Sequence, residues 1–179
     1  MSYDEFLELT EHSEQRFELI DGIVYNLASP AFHHQYIIHV LSGTFYNWFQ
    51  GKSCIPLTSP LDITLRKSED NICVVQPDIV VTCDKDNLDD RGKYQVVPAL
   101  AVEVLSPTTR SKDLTKKLEL YMLCGVKEYW IVDPMNEMIQ LYSFENQDIA
   151  EHRTFSKAVG GMLRSIWFDG LTVPLAKLF

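Results

Sequence analysis

Apolar residues recur along the chain at two different spacings, which predict helices and strands. Spacings of three to four residues predict a short helix at the N-terminus and longer helices over about 31–50 and 111–124. Ser2 and Glu5 fit a capping box at the start of the first helix. A glycine follows each of the two longer helices, where it can adopt the left-handed conformation that ends a helix.

Shorter alternating or continuous apolar runs predict the strands. Asp21-Gly22 lies between two β-prone runs and predicts a tight hairpin over 16–25. The further predicted strands are 54–58, 61–66, 72–83, 98–105, 128–133, 138–145, 148–156 and 163–168. The charged segment 84–92 predicts an exposed loop. A strand, a helix and a strand follow one another mid-chain, which predicts an α/β fold with a mixed central sheet flanked by helices.

Length and composition are those of one globular domain spanning residues 1–179. No apolar stretch approaches the roughly 20 residues that cross a bilayer, and the acidic N-terminus lacks the profile of a signal peptide. We therefore expect a cytoplasmic protein without membrane contact. The four cysteines show no metal-binding spacing, so we expect reduced thiols packed as small apolar side chains.

The net charge of −9 bears on the choice of partner. Affinity for phosphates irrespective of sequence needs a broad basic surface, which this composition does not favour. A nuclease remains compatible with the charge, because metal ions can neutralise a carboxylate-rich site.

Two carboxylates in apolar surroundings are the main candidates for chemistry. Glu103 is the only charged residue in the apolar run 98–105, and Asp78 leads directly into another apolar strand. A buried carboxylate needs a cation, a hydrogen-bond network or a metal. Each alone can be an ordinary partnered carboxylate, but together on neighbouring strands they can hold a hard divalent cation.

The helix after Glu103 offers a cation. At 100° per residue, Lys117 lies about 60° from the apolar stripe of that helix, whereas Lys116 points away from it. Lys117 can therefore extend along the apolar face toward the sheet. The alternative is a surface ion pair between Lys117 and Asp113, four residues apart.

Five segments occur in an order that resembles the Uma-type family of restriction-endonuclease-like proteins, in the PD-(D/E)XK nuclease superfamily. They are Phe17–Gly22, Gln76–Val81, Val102–Pro107, Lys117–Tyr121 and Gly125–Pro134. The resemblance covers roughly residues 3–175 and implies a restriction-endonuclease-like core. Asp78 matches the Asp of the Pro-Asp motif, and Glu103 matches the acidic residue of the next core strand.

The superfamily usually has a lysine two residues after that acidic residue, a position that Leu105 occupies here. The resemblance implies that Lys117 substitutes for it. It further implies that Mg²⁺ or Mn²⁺ binds Asp78, Glu103 and the Val104 carbonyl, and that Glu18 is an additional metal or water ligand. Lys117 would orient the attacking water or offset developing negative charge. Glu18 has the alternative of a solvated hairpin charge.

Three further residues are candidates for contact with substrate. His34 matches a histidine of similar proteins and could face the site, although a polar surface residue is the alternative. Arg110 and Lys112 belong to a basic cluster that could contact phosphates, although a solvated helix face is the alternative.

These features favour a metal-dependent endonuclease that hydrolyses DNA. Two alternatives remain at this point: a catalytically inactive module of the same fold that binds nucleic acid or protein, and a metal-dependent hydrolase of a small molecule. A homodimer is expected for cutting two strands, since one domain offers one site.

Overall fold

The computed structural model describes residues 1–84, 86 and 96–179 of the chain. The exposed loop that we predict over 84–92 lies outside the described residues, apart from Asp84 and Asp86. Among the described residues, no helix has the length and apolar character needed to cross a membrane.

The helices agree closely with the predictions. They are α1 (Tyr3–Glu11), α2 (Phe32–Phe49), α3 (Arg110–Lys112), a π-helix (Asp113–Lys117), α4 (Leu118–Cys124) and a final 3₁₀ turn (Leu175–Lys177). The capping box is formed at α1, with the Ser2 side chain accepting from the Glu5 backbone N–H. The third predicted helix is one continuous segment made of α3, the π-helix and α4, and its π-helical middle was not predicted.

Twelve strands are present among the described residues. They are β1 (Phe17–Ile20), β2 (Ile23–Asn26), β3 (Ile55–Thr58), β4 (Ile63–Arg66), β5 (Ile72–Val75), β6 (Ile79–Thr82), β7 (Leu100–Val104), β8 (Glu128–Asp133), β9 (Met138–Glu145), β10 (Asp148–Ser156), β11 (Met162–Arg164) and β12 (Thr172–Pro174). In the predicted hairpin of β1 and β2, Asp21 and Gly22 both have positive φ angles, 51° and 74°.

The central sheet has six strands in the order β10-β9-β8-β7-β6-β3. Strands β7 and β8 are parallel, and the other pairs are antiparallel. The helical segment from α3 to α4 connects the two parallel strands, as such a crossover requires. The predicted mixed central sheet is therefore confirmed.

The predicted strand 72–83 is wrong in one respect, because the structure divides it. Strand β5 joins β1, β2 and β4 in a separate four-stranded antiparallel sheet, whereas β6 lies in the central sheet. The division falls at Gln76-Pro77-Asp78. Proline has no N–H to donate to a strand ladder, so it suits the point where the chain leaves one sheet for the other.

Apolar side chains cover both faces of the central sheet, as the unbroken apolar runs predict. On one face, Ile37, Leu41 and Phe45 of α2 pack on the sheet. On the other face, α4 and the four-stranded sheet enclose a second core that includes Tyr121 and Tyr129. The helices thus flank the central sheet on both sides.

The prediction of four reduced cysteines is wrong for two of them. Cys54 and Cys83 form a disulfide, while Cys73 and Cys124 are free. Cys54 immediately precedes Ile55, Cys83 immediately follows Thr82, and Ile55 and Thr82 are paired in the antiparallel strands β3 and β6. The strand register places the two cysteines opposite each other. Their separation of 29 residues in the chain gives no sign that they are close in space.

The predicted strand 163–168 ends earlier, at Arg164 of β11. The backbone N–H groups of Ile166 and Trp167 donate to Glu128 Oε2 at 2.8 and 2.6 Å. These groups bond to a buried carboxylate instead of a neighbouring strand. Glu128 therefore anchors the C-terminal segment to β8.

Candidate active site

A cavity of about 620 Å³ opens between the start of α2, the β1 strand, the β5–β6 connection and the end of β7. Its charged and titratable lining residues are Arg16, Glu18, His34, Asp78, Glu103, Lys112, Asp113 and Lys117. The sequence predicts six of these as site residues, all except Arg16 and Asp113. Four carboxylates therefore share this cavity with two lysines, one arginine and one histidine.

Glu18 is fully buried, so it is not a solvated hairpin charge. Its Oε2 pairs with Lys112 Nζ, its Oε1 lies 2.8 Å from Lys117 Nζ, and the Gln76 backbone N–H donates to Oε1 at 2.9 Å. Burial opposes ionisation, but the two lysines outweigh it and lower the pKa of Glu18 to about 2. Glu18 is thus a buried anion that holds two lysines in place.

Glu103 is the fourth of the five residues of the buried strand β7. Its Oε1 accepts hydrogen bonds from Lys117 Nζ at 2.6 Å and from the Tyr121 hydroxyl at 2.8 Å. Burial raises the pKa of Glu103 well above its usual range; Lys117 opposes this, and the nearby carboxylates of Asp113, Asp78 and Glu18 reinforce it. Such a site favours the arrival of further positive charge.

Lys117 is buried and lies at the centre of the charged cluster. Besides its bonds to Glu18 and Glu103, its Nζ is 3.5 Å from Asp113 Oδ1. Lys116 is 39% exposed, as the helix geometry predicts. Lys117 therefore pairs with Asp113 and also contacts Glu18 and Glu103 on the sheets.

The π-helix explains how two lysines reach one carboxylate. In an α-helix, residues five apart differ in direction by about 140°. In a π-helical turn the hydrogen bond spans five residues, so residues at that spacing lie nearly one above the other. The π-helix covers Asp113–Lys117 and is preceded by Lys112. Both lysines consequently point to Glu18.

Asp78 stands where the chain enters the central sheet. Its Oδ2 accepts from the Val104 backbone N–H at 2.7 Å and lies 3.3 Å from His34 Nε2. Burial lowers the pKa of His34, but Asp78 and the Val104 backbone outweigh it and raise the pKa overall. The structure thus brings His34, Asp78 and Val104 together at the end of β7.

Leu105 occupies the position where the superfamily usually has its strand lysine. It is buried and packs in the core on the α4 side of the sheet. Its side chain is apolar, and Lys117 reaches the Glu103 carboxylate from the helix instead. The charge is therefore supplied to the same carboxylate from a different element.

The oxygens of the site suit a hard divalent cation. Among the described residues, Asp78 Oδ1 and Glu103 Oε2 have no hydrogen-bond partner, and both residues line the cavity. Gln76 Oε1 is a buried acceptor that also has no partner among the residues described. Oxygen ligands are those that Mg²⁺ and Mn²⁺ prefer. Within the described part of the chain, no three His, Cys, Asp or Glu side chains form a ready-made metal site.

The basic cluster of the sequence separates in the structure. Arg110 is not part of the cavity wall; its Nη1 donates to Asp133 Oδ2 at 2.6 Å. Lys112 does line the cavity, where it is paired with Glu18 and lies 5.1 Å from the centre of the Tyr25 ring.

Four residues of the site were missed or undervalued from the sequence: Arg16, Gln76, Asp113 and Tyr121. Arg16 precedes Glu18 by two residues, a spacing that places both on one face of a strand. Tyr121 follows Lys117 by four residues, which places it on the same helix face. These spacings carry the signal, but only once Glu18 and Lys117 are known to face inward.

Comparisons with known proteins agree with this fold. Residues 3–172 match the family Uma2, described as "Putative restriction endonuclease". An "Uncharacterized protein slr1290" of Synechocystis sp. is 33% identical over 145 residues, which is 79% of this chain and 73% of that protein.

The fold of this chain is similar to that of a protein whose crystal structure is known. The crystal structure of "a putative nuclease belonging to DUF820" from Anabaena variabilis matches with a TM-score of 0.81 at 20% identity, and the match covers 100% of this chain and 97% of that one. The restriction-endonuclease-like fold expected from the sequence is confirmed. The chain belongs to the Uma2 family of restriction-endonuclease-like proteins.

Proposed function

We propose that this protein is a Mg²⁺- or Mn²⁺-dependent endonuclease that hydrolyses phosphodiester bonds in DNA. One observation carries the proposal: Asp78, which immediately precedes β6, and Glu103, on the adjacent strand β7, line one cavity. Each keeps an oxygen without a hydrogen-bond partner among the described residues. Family membership supports nuclease chemistry in general; the metal and the DNA substrate belong to the proposal.

Asp78, Glu103 and the Val104 carbonyl are the groups that would hold the ion. When bound, the ion would supply a Lewis acid for the phosphodiester and an activated water. The Val104 N–H and His34 hold Oδ2 of Asp78, while Lys117 and Tyr121 hold Oε1 of Glu103. These contacts fix the two carboxylates before substrate arrives, as electrostatic catalysis requires.

Lys117 acts as a permanent cation. Burial lowers its pKa, but Glu103, Glu18 and Asp113 outweigh burial and raise the pKa well above its usual range. A lysine that stays protonated is not a general base. It instead orients Glu103 and offsets negative charge that develops on the phosphate.

Charge explains how an acidic protein can bind DNA at this cavity. When all four carboxylates are ionised, they outnumber the three Lys and Arg side chains of the wall by one charge. A divalent cation reverses that balance and makes the cavity attractive to a phosphate. We therefore expect DNA binding at the site to depend on the metal.

Incubation of supercoiled plasmid with the purified protein tests the proposal. With Mg²⁺ or Mn²⁺ we expect cleavage that chelation by EDTA stops. Asp78→Asn removes a ligand charge and should lower the cleavage rate at least about 100-fold, the size of a lost electrostatic contribution in an active site. Asp169→Asn, an exposed matched control, should cleave like the wild type.

Two results would contradict the proposal. The first is wild-type protein that leaves plasmid intact under every metal condition, which would favour the inactive interaction module. The second is undiminished cleavage by a folded Asp78→Asn variant, which would move the reaction to another site. A parallel incubation with single-stranded RNA tests whether DNA is the preferred substrate.

A further inference from the structure

We infer that Arg16 binds a phosphate of the substrate strand next to the one that is cut. This inference rests on the proposed function and adds a substrate-binding residue to it. Arg16 lines the same cavity as Asp78 and Glu103, and its guanidinium forms no ion pair or hydrogen bond with the part of the chain that the structure describes.

The position of Arg16 follows from the β1 strand. Its carbonyl accepts from the Leu27 N–H at 2.9 Å, which extends the β1–β2 ladder by one residue beyond Phe17. Alternation along a strand then places Arg16 on the same face as Glu18, about 6.8 Å along the chain. Arg16 thus lies on the wall that carries Glu18, one strand repeat away from it.

The other basic side chains of the cavity are already paired. Lys112 pairs with Glu18, Lys117 with Glu18 and Glu103, and His34 with Asp78. Each has a carboxylate within the protein to satisfy it. A phosphate entering the cavity meets Arg16 as the cation without such a partner in the described structure, and Arg16 is partly exposed to receive it.

Arginine is suited to this task. Its planar guanidinium presents several N–H donors that match two phosphate oxygens at once, and it stays charged at any physiological pH. Arg16 lies one strand repeat, about 6.8 Å along β1, from Glu18, the carboxylate that holds both lysines of the site. It therefore suits a flanking phosphate and anchors the strand while the pair acts on its neighbour.

Binding of a fluorescent DNA duplex, measured by anisotropy in Ca²⁺ over a range of salt concentrations, tests this role. A gel confirms that the DNA stays intact. We expect Arg16→Ala to weaken binding about 10-fold and to reduce the slope of log affinity against log salt by about 0.9, the value for one lost phosphate contact. Arg16→Lys should keep the slope, since it keeps the charge.

The control is Arg164→Ala, which removes an equal charge from an exposed position on β11, outside the cavity. If Arg16→Ala and Arg164→Ala bind DNA alike while the wild type binds and cleaves it, the role of Arg16 is overturned and the proposed function stands. A wild-type protein that binds no DNA in Ca²⁺ and cleaves none in Mg²⁺ overturns both. Thermal unfolding of each variant confirms that the fold is retained.

Discussion

Glu18 shows how a single buried charge links stability to the site. Its carboxylate is fully buried and neutralises Lys112 and Lys117. Removing one partner of a buried ion pair leaves the other uncompensated, which costs several kcal/mol. Lys112 depends most on Glu18, because Lys117 keeps Glu103 and Asp113 as partners.

We predict that Glu18→Gln lowers the free energy of unfolding by about 3 kcal/mol at neutral pH. The pKa of Glu18 falls from 4.5 to about 2 on folding, and such a shift corresponds to about that free energy. Because the folded pKa is the lower one, this stabilisation is present above pH 4.5 and is lost as the pH falls toward 2.

Urea unfolding of wild type and Glu18→Gln across this pH range checks the prediction. The difference between the two proteins should be constant above about pH 5 and should close toward pH 2. Comparing the two proteins cancels the contributions of titrating groups that are distant from Glu18. A difference that is already absent at neutral pH would show that Glu18 is not ionised and paired as described.

At the residue scale, the sequence indicates for some charged side chains that they face the interior, and for others it does not. Asp78 and Glu103 are recognisable because a charge in an apolar run is costly, and Lys117 because helix periodicity gives its direction. Lys112 is different, since its direction depends on the π-helix that follows it. Arg16 is not apparent, because only the tertiary structure shows which cations already have partners.

The helical segment from α3 to α4 has a functional part and a packing part. Its π-helix places the charged residues over the cavity, whereas α4 packs Leu120 and Tyr121 into the core. A π-helical turn is rare and is frequently found at functional sites. The apolar periodicity predicts the helix as a whole, but a change of pitch within it leaves no separate pattern in the sequence.

Strands β3 and β6 are joined by hydrogen bonds and by the Cys54–Cys83 disulfide. We predict that the double variant Cys54→Ala/Cys83→Ala loses about 3 kcal/mol of unfolding free energy without reductant, the usual effect of a crosslink over a loop of this length. The wild type should lose a similar amount when dithiothreitol is added, and the double variant should not respond.

Thiol titration in denaturant gives an independent check. Without reductant, two thiols should react in the wild type, those of Cys73 and Cys124. The single variant Cys124→Ala serves as the control and should show one fewer reactive thiol. Four reactive thiols in unreduced wild type would contradict the disulfide.

The division of the predicted strand 72–83 illustrates a limit at the element scale. Both halves are apolar and β-prone, and they are separated only by Gln76-Pro77-Asp78. Periodicity assigns strand to both, but their partners lie far away in the chain, β1 and β4 for one half and β3 and β7 for the other. The change of sheet at Gln76-Pro77-Asp78 also places Asp78 beside Val104. The same segment therefore determines both the sheet topology and the position of a site residue.

For the whole molecule, the acidic charge and the proposed DNA substrate are reconciled by the metal. A net charge of −9 repels a polyanion at long range, and salt screens that repulsion. Attraction is then confined to the cavity, where a bound cation and Arg16 add positive charge. Affinity of this kind is local, unlike that of proteins with a broad basic face.

The homodimer expected from the sequence remains a prediction. If two copies act together on a duplex, the complex with a short duplex in Ca²⁺ should sediment with the mass of two chains plus one duplex. Supercoiled plasmid should then become linear without accumulation of nicked circles. Sedimentation as a single chain, together with nicked circles that build up before linear product, would indicate one site acting on one strand at a time.

The metal site is the central claim, and calorimetric titration with Mn²⁺ tests it most directly, since it needs neither substrate nor turnover. We predict that the wild type binds about one Mn²⁺ per chain. Asp78→Asn should show no measurable binding, whereas the matched control Asp169→Asn should bind like the wild type. Absence of binding to the wild type, or equal binding by a folded Asp78→Asn variant, would contradict the claim that Asp78 and Glu103 form a metal site.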